Sequence, residues 1–248
     1  MATWPPTGKT MTDTLPPEAG SPAGMSMANF LVSSVHDMKN SLAVMADYLE
    51  TSLSQAPDKT SPLFQQTSHA LYETQRINDH LIQLLALYKI DQAFYPFDPQ
   101  EQNMADLALD AVGRVSYLAE ARGVSLEFEC DPDLLGWVDY ELVLGVLVQA
   151  MHNALHYTTD QVLCLITAAP AGGTSIRVED NGRGYPEFML RQGNAINSGV
   201  NFESGSSGLG LYFSAVVAGL HRSGERIGNT HLENGGRLGG GCFCLDLP

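Results

Sequence analysis

Four short runs hold the side chains best suited to chemistry. The first is Val35-His36-Asp37-Met38-Lys39-Asn40. A neutral imidazole is a usable nucleophile near pH 7, because its ordinary pKa is about 6.5. Asp37 beside it can hold the ring in one tautomer or accept its proton. Asn40 lies one helical turn on, where its amide can position a water. The second run is Gln149-Ala-Met-His-Asn153-Ala-Leu-His156-Tyr157. Gln149 and Asn153 share a helix face, the Asn153 carbonyl is a hard-oxygen donor suited to Mg2+, and His156 is within reach of a phosphate. The third is Asp180-Asn181-Gly182-Arg183-Gly184, directly after an apolar strand pattern. A carboxylate at a strand end can accept a hydrogen bond from an exocyclic amine such as that of adenine, and glycines beside it let backbone approach a flat ring. The fourth is Gly205-Ser-Ser-Gly208-Leu209-Gly210-Leu211, which opens a helix and presents bare backbone N–H groups to an anion. Each run also has a plainer reading: a solvated helix face for the first two, an Asp-Asn-Gly turn for the third, and a glycine-rich loop, weak by itself, for the fourth.

The surrounding elements must position these runs. Residues 1–25 are rich in Pro, Thr, Gly and Ser and read as a disordered tail. Leu31, Val35, Met38, Leu42, Met45, Leu49 and Leu53 follow at spacings of 4, 3, 4, 3, 4 and 4, an almost unbroken heptad seam. Ala56 to Pro62 breaks it, and a second seam runs through Ala70, Thr74, Ile77, Leu81, Leu84 and Tyr88. Residues 26–90 therefore predict an antiparallel helical hairpin. Its two apolar stripes call for pairing into a dimeric four-helix bundle. His36 sits off the seam, toward solvent.

Residues 91–248 alternate helix and strand patterns. Strands are predicted at Phe94–Phe97, Val124–Glu129, Gly136–Val138, Val162–Thr167, Thr174–Glu179, Thr230–Leu232 and Cys242–Leu247. Helices are predicted at Met104–Ala121, Glu141–His156 and Leu209–Leu220, with a Gly/Ser/Asn-rich loop over Gln192–Ser207. The fold class is α+β: a helical hairpin followed by an α/β sandwich with helices on one sheet face.

Composition excludes several classes. The 248 residues carry a net charge of −15, whereas a nucleic-acid binder would show a basic face. No run reaches the ~18 apolar residues of a membrane helix, and no signal-peptide pattern opens the chain. Membrane insertion is not expected, and the cytoplasm is the expected compartment. Cys130, Cys164, Cys242 and Cys244 form no C-x-x-C pair. Cys242 and Cys244 share one strand face and read as buried free thiols.

The order of the four runs resembles the catalytic core of a bacterial two-component sensor histidine kinase, over about residues 27–248. His36 to Asn40 resembles the H box and Gln149 to Tyr157 the N box. Asp180 to Gly184 resembles the first glycine box, Gly205 to Leu211 the second, and Phe202 stands where the F box has its Phe. The resemblance implies Mg-ATP as phosphoryl donor, His36 as phosphoacceptor, Asp37 as base and Asn153 as Mg2+ ligand. It further implies Asp180 as adenine ligand, with Gln149, His156, Tyr157, Gly182, Gly184, Gly208, Leu209 and Gly210 around the nucleotide. It also implies a response-regulator receiver domain as acceptor, Asn40 in dephosphorylation of that regulator, a homodimer, and an upstream input protein. The chain departs from the family at Ser41, where a helix-bending Pro is usual, at Gln149 in place of the first Asn, and at His156 in place of Lys or Arg. Three other readings remain. One is a histidine phosphotransferase with a degenerate ATP-binding domain. Another is an ATP hydrolase of the same superfamily, which would need a Glu where Gln149 stands. The last is a coiled-coil adaptor, which leaves the glycine boxes unused.

Overall fold

The computed structural model describes residues 27–58, 60–170, 172–192 and 208–248. The N-terminal tail, most of the Gln192–Ser207 loop, Phe202 and Gly205 lie outside the described residues. Helix α1 spans Met27–Ser54 and α2 spans Pro62–Asp91. Pro62 opens α2 where its missing N–H costs nothing, and the Ser61 hydroxyl caps the helix by accepting from the Phe64 N–H. The two helices pack as a hairpin around Leu53, Phe64 and Leu71. Helix α1 is continuous through Ser41, whose hydroxyl donates to the Asp37 carbonyl one turn back.

Beyond α2 come β1 (Gln100–Asn103), α3 (Met104–Arg122), β2 (Ser125–Cys130), β3 (Leu135–Val138) and α4 (Tyr140–Tyr157). The chain continues through β4 (Gln161–Ala168), β5 (Thr174–Asp180), α5 (Glu187–Gln192) and α6 (Leu209–Leu220). It closes with β6 (Arg222–Ser223), β7 (Arg226–Ile227), β8 (Asn229–Asn234) and β9 (Gly241–Leu247). Five strands form a sheet in the order β2-β4-β5-β9-β8, parallel between β2 and β4 and antiparallel elsewhere. Period-two alternation sends Val162, Cys164, Ile166, Ile176, Val178, Phe243, Leu245 and Leu247 to one face, where α3, α4 and α6 cover them.

The expected strand at Phe94–Phe97 does not form. Pro96 lacks a ladder donor, and the segment turns back so that the Phe94 and Tyr95 N–H groups both donate to the Lys89 carbonyl. The strand that does form, β1, is Gln-Glu-Gln-Asn, whose polar residues carry no apolar alternation. It pairs with β3, and Asn103 then caps α3 by accepting from Ala105 and Asp106 N–H.

The heptad seams divide. Leu53 is buried, but Met38, Met45, Ile77 and Leu84 are about half exposed, and Ala70 is exposed. Helix α2 has a second apolar face, bearing Tyr72, Ala86, Leu87 and Ile90, that packs into the core of the following domain. One copy of the chain therefore covers that face and leaves the seam open. No helix among the described residues is long and apolar enough to cross a membrane.

Candidate nucleotide and phosphoacceptor sites

Asp180 ends β5 and is buried. Its Oδ1 accepts from the Gly182 N–H at 2.7 Å and the Gly241 N–H at 3.3 Å, and its backbone carbonyl accepts from Gly240 N–H at 3.0 Å. A Cβ on Gly241 would lie 2.7 Å from Oδ2, and one on Gly240 would lie 2.6 Å from Oδ1. Glycine at these positions keeps the carboxylate reachable, as an amine-bearing ring requires.

The third and fourth runs each lie against the second. A Cβ on Gly182 would strike the Tyr157 carbonyl, so the strand-end loop rests directly on the last turn of α4. A Cβ on Gly210 would fall on the Gln149 amide, so the first turn of α6 lies against the middle of α4. Gly208 precedes that turn with φ 56°, in the left-handed region that favours glycine, and no side chain caps the N–H groups that follow. Leu209 is the first residue of α6. Gln149 Oε1 is buried and has no hydrogen-bond partner among the described residues. Asn153 lies one turn further along α4 and is half-buried. Two amide oxygens on one helix face, one of them unpaired and buried, suit a hard cation that keeps most of its ligands from water and phosphate.

His156 is placed differently from a phosphate-facing cation. Its ring stacks on Tyr72 of α2, with centroids 4.9 Å apart, and meets Tyr157 edge-on at 4.7 Å. Burial, then the nearby Arg122 and Arg76 charges, pull its pKa below the ordinary imidazole value, so the ring is neutral near pH 7. Tyr157 is half exposed, with the Arg183 guanidinium 6.0 Å from its ring centre. Gly184 has φ 75° and leads into Tyr185, which exchanges two backbone bonds with the Asn234 amide, at 2.6 and 2.9 Å.

Three supporting residues escaped the sequence reading. Asn181 Oδ1 accepts from the Thr158 hydroxyl and from the N–H groups of Thr159, Asp160 and Gln161, tying the end of α4 to the Asp180 loop. Asn234 clamps Tyr185 from β8. Glu179 is buried and accepts the Arg237 N–H at 2.6 Å. An Asn followed by Gly announces a turn in sequence. Which distant backbone it binds depends on the fold.

The first run stands on the hairpin. The His36 side chain is 69% exposed and Asp37 78%. Nδ1 of His36 lies 3.6 Å from Asp37 Oδ1 and 3.3 Å from the Asn40 amide. The Asn40 amide nitrogen can only donate, so that contact uses the Nδ1 lone pair; a proton on Nδ1 shared with Asp37 instead would leave the Nε2 lone pair free for attack. The hairpin meets α3 and α4 at other points. The His152 Nδ1–H donates to Asp79 Oδ2 at 2.5 Å, and the Tyr117 hydroxyl of α3 donates to the Glu50 carbonyl at 2.8 Å.

No family model matches the chain. Three curated relatives are sensor histidine kinases. GraS of Staphylococcus haemolyticus is 26% identical over 148 residues, covering 57% of this chain and 42% of that protein. TmoS of Ectopseudomonas mendocina is 21% identical over 227 residues, covering 89% and 23%. MtrB of Mycobacterium leprae is 25% identical over 224 residues, covering 86% and 38%. The chain thus spans less than half the length of these relatives. Among solved structures, full-length ShkA in complex with AMPPNP superposes with a TM-score of 0.57 at 17% identity, over 89% of this chain and 46% of that one. The catalytic domain of histidine kinase ThkA superposes at 0.50 and 19% identity, over 61% and 97%. The chain is similar in sequence to these sensor histidine kinases and shares the fold of a histidine kinase catalytic domain.

Proposed function

We propose that this chain is an ATP-dependent protein histidine kinase of the cytoplasm. It phosphorylates His36 and passes the phosphoryl group to an aspartate of a response-regulator receiver domain. The observation that carries this reading is the packing of two distant segments on one helix, Asp180 and Gly182 against Tyr157 and Gly210 against Gln149, in a chain that also exposes His36 beside Asp37. Asp180 would accept from the adenine amine, and the N–H groups after Gly208 would take phosphate. Asn153, with Gln149 beside it, would hold Mg2+, which neutralises phosphate charge during transfer. Asp37 would orient the His36 ring and take its Nδ1 proton, and the Nε2 lone pair would attack the γ-phosphorus of ATP, breaking its bond to the bridging oxygen so that ADP leaves.

The exposed Met38, Met45, Ile77 and Leu84 support a homodimer through the hairpin, since their spacing of seven is that of a coiled-coil seam. Asn40 would orient water against a regulator's aspartyl phosphate, giving phosphatase activity toward that partner. An upstream protein would supply the input. Binding of a fluorescent ATP analogue with Mg2+, lost in Asp180→Ala, tests the nucleotide site. Absence of binding by the unaltered chain would favour a histidine phosphotransferase with a non-catalytic ATP-binding-like domain.

A further inference from the structure

The sheet face opposite the helices carries a donor cluster that the kinase reading does not use. His231 and Glu233 on β8 stand directly across from Cys244 and Cys242 on β9. All four positions are two apart along their strands, so they form a block of two neighbouring cross-strand pairs on one face. The donor atoms of His231, Glu233 and Cys244 lie within 4.8 Å of one another. His231 Nε2 is 3.1 Å from Glu233 Oε1, and the Cys244 and Cys242 sulfurs are 3.5 Å apart.

We propose that these four residues form a site for a thiophilic divalent cation of the zinc class. A tetrahedral ion with metal–sulfur bonds of about 2.3 Å and metal–nitrogen bonds of about 2.0 Å requires donor separations of roughly 3.3 Å between nitrogen and oxygen to 3.8 Å between sulfurs. The sulfur pair, 3.5 Å apart, is close to that requirement; His231, Glu233 and Cys244 lie within 4.8 Å, and Cys242 joins them through its contact with Cys244. The surroundings support the same reading. Asp246 Oδ2 lies 3.7 Å from His231 Nδ1, on the far side of the ring from Glu233, and the Ser175 hydroxyl holds the other Asp246 oxygen at 2.7 Å. A carboxylate behind a ligand imidazole fixes its tautomer and raises its basicity. Arg177 binds Glu233 through Oε2, which leaves Oε1 toward His231. The two cysteines are buried while His231 and Glu233 are partly open, so a cation has an entry route and a dry seat. Two sulfur donors with one nitrogen and one carboxylate select against Mg2+ and Ca2+. Binding releases the thiol protons to solvent.

The test uses the full chain, reduced, incubated with Zn2+ or Co2+ and then desalted. The unaltered chain should retain about one equivalent. The Co2+ form should show thiolate-to-cobalt charge transfer and the intense visible bands of a tetrahedral ion. Excess Mg2+ should not displace either metal. Cys244→Ser and His231→Gln should abolish retention, and Cys242→Ser should remove part of the charge-transfer intensity. Asp246→Asn, outside the donor set, should weaken affinity by about 10-fold or more. Circular dichroism and ATP-analogue binding show that each variant is folded. No retained metal in the unaltered chain, or retention unaffected by Cys244→Ser in a folded variant, would overturn the proposal.

Discussion

The hairpin and the nucleotide cradle solve opposite problems. On α1, the chemistry rests on three residues within one and a half turns, all on an exposed face. Their geometry follows from helix periodicity alone, because His36 to Asn40 is one i,i+4 step. In the cradle, Asp180 is buried and is approached by backbone from β9 and, through Gly182, by the end of α4, while the start of α6 lies against Gln149 in the middle of α4. Its geometry depends on the whole sheet. An exposed acceptor must meet partners of different shapes, whereas a nucleotide is always the same ligand and suits a preformed seat. The contrast teaches that the two regions should fail independently.

The largest expected effect breaks the cradle and spares the hairpin. Asp180→Ala or Asn153→Ala should abolish autophosphorylation, yet His36 should still take phosphate back from a phosphorylated regulator. For Asp180→Ala the loss of one charge-assisted hydrogen bond, about 1.5–3 kcal/mol, should weaken ATP-analogue binding by at least ~10-fold. Normal autophosphorylation in Asn153→Ala would remove the Mg2+ assignment. His36→Gln is the reverse case, with nucleotide binding intact and no phosphate incorporated.

A second variant acts on the hairpin only. Ile77 is about half exposed on the uncovered seam. Ile77→Asp should convert a dimer at micromolar concentration to a monomer by light scattering without altering ATP-analogue affinity. A monomeric unaltered chain would contradict the dimer outright. A smaller effect sharpens the division within the hairpin. Asn40→Ala should keep autophosphorylation and slow regulator dephosphorylation by about 10-fold, the equivalent of ~1.4 kcal/mol. Equal decay rates for Asn40→Ala and the unaltered chain would assign the water to another residue.

The smallest effect is on stability. His221 is buried, donates through Nδ1–H to the Val217 carbonyl and accepts the Asp139 N–H at Nε2. Burial lowers its pKa in the folded state. The unfolded chain therefore binds the proton more readily, with a pKa near 6.5. Stability should be level above that value and fall as pH drops below it. His221→Gln should cost stability at pH 7.5 and flatten that decline. An unchanged pH profile in the variant would exclude this histidine as its source.

The sequence revealed these regions unevenly. Helix α6 appears at its expected bounds, and α3, α4 and the five sheet strands within a residue or two at most ends, because their apolar periodicity is set by burial on one side. Strand β1 was hidden, since Gln-Glu-Gln-Asn pairs by backbone and has no apolar face. The β6–β7 hairpin was hidden by its two-residue strands. The four runs were visible as residue types. The contacts of the second run with the third and fourth were not, because Gly210 against Gln149 spans about sixty positions of chain and exists only once α4 and α6 lie side by side. His156 shows the limit from the other side. Its position in the run suggests a phosphate contact, and the packing of α2 against its ring through Tyr72 could not be read from that run.

Incubation of the purified chain with Mg2+ and γ-labelled ATP tests the central claim most directly. The account predicts label on the protein that is lost in acid, survives in base, maps to His36, and is absent in both His36→Gln and Asp180→Ala. No incorporation, or acid-stable label that persists in His36→Gln, would contradict it.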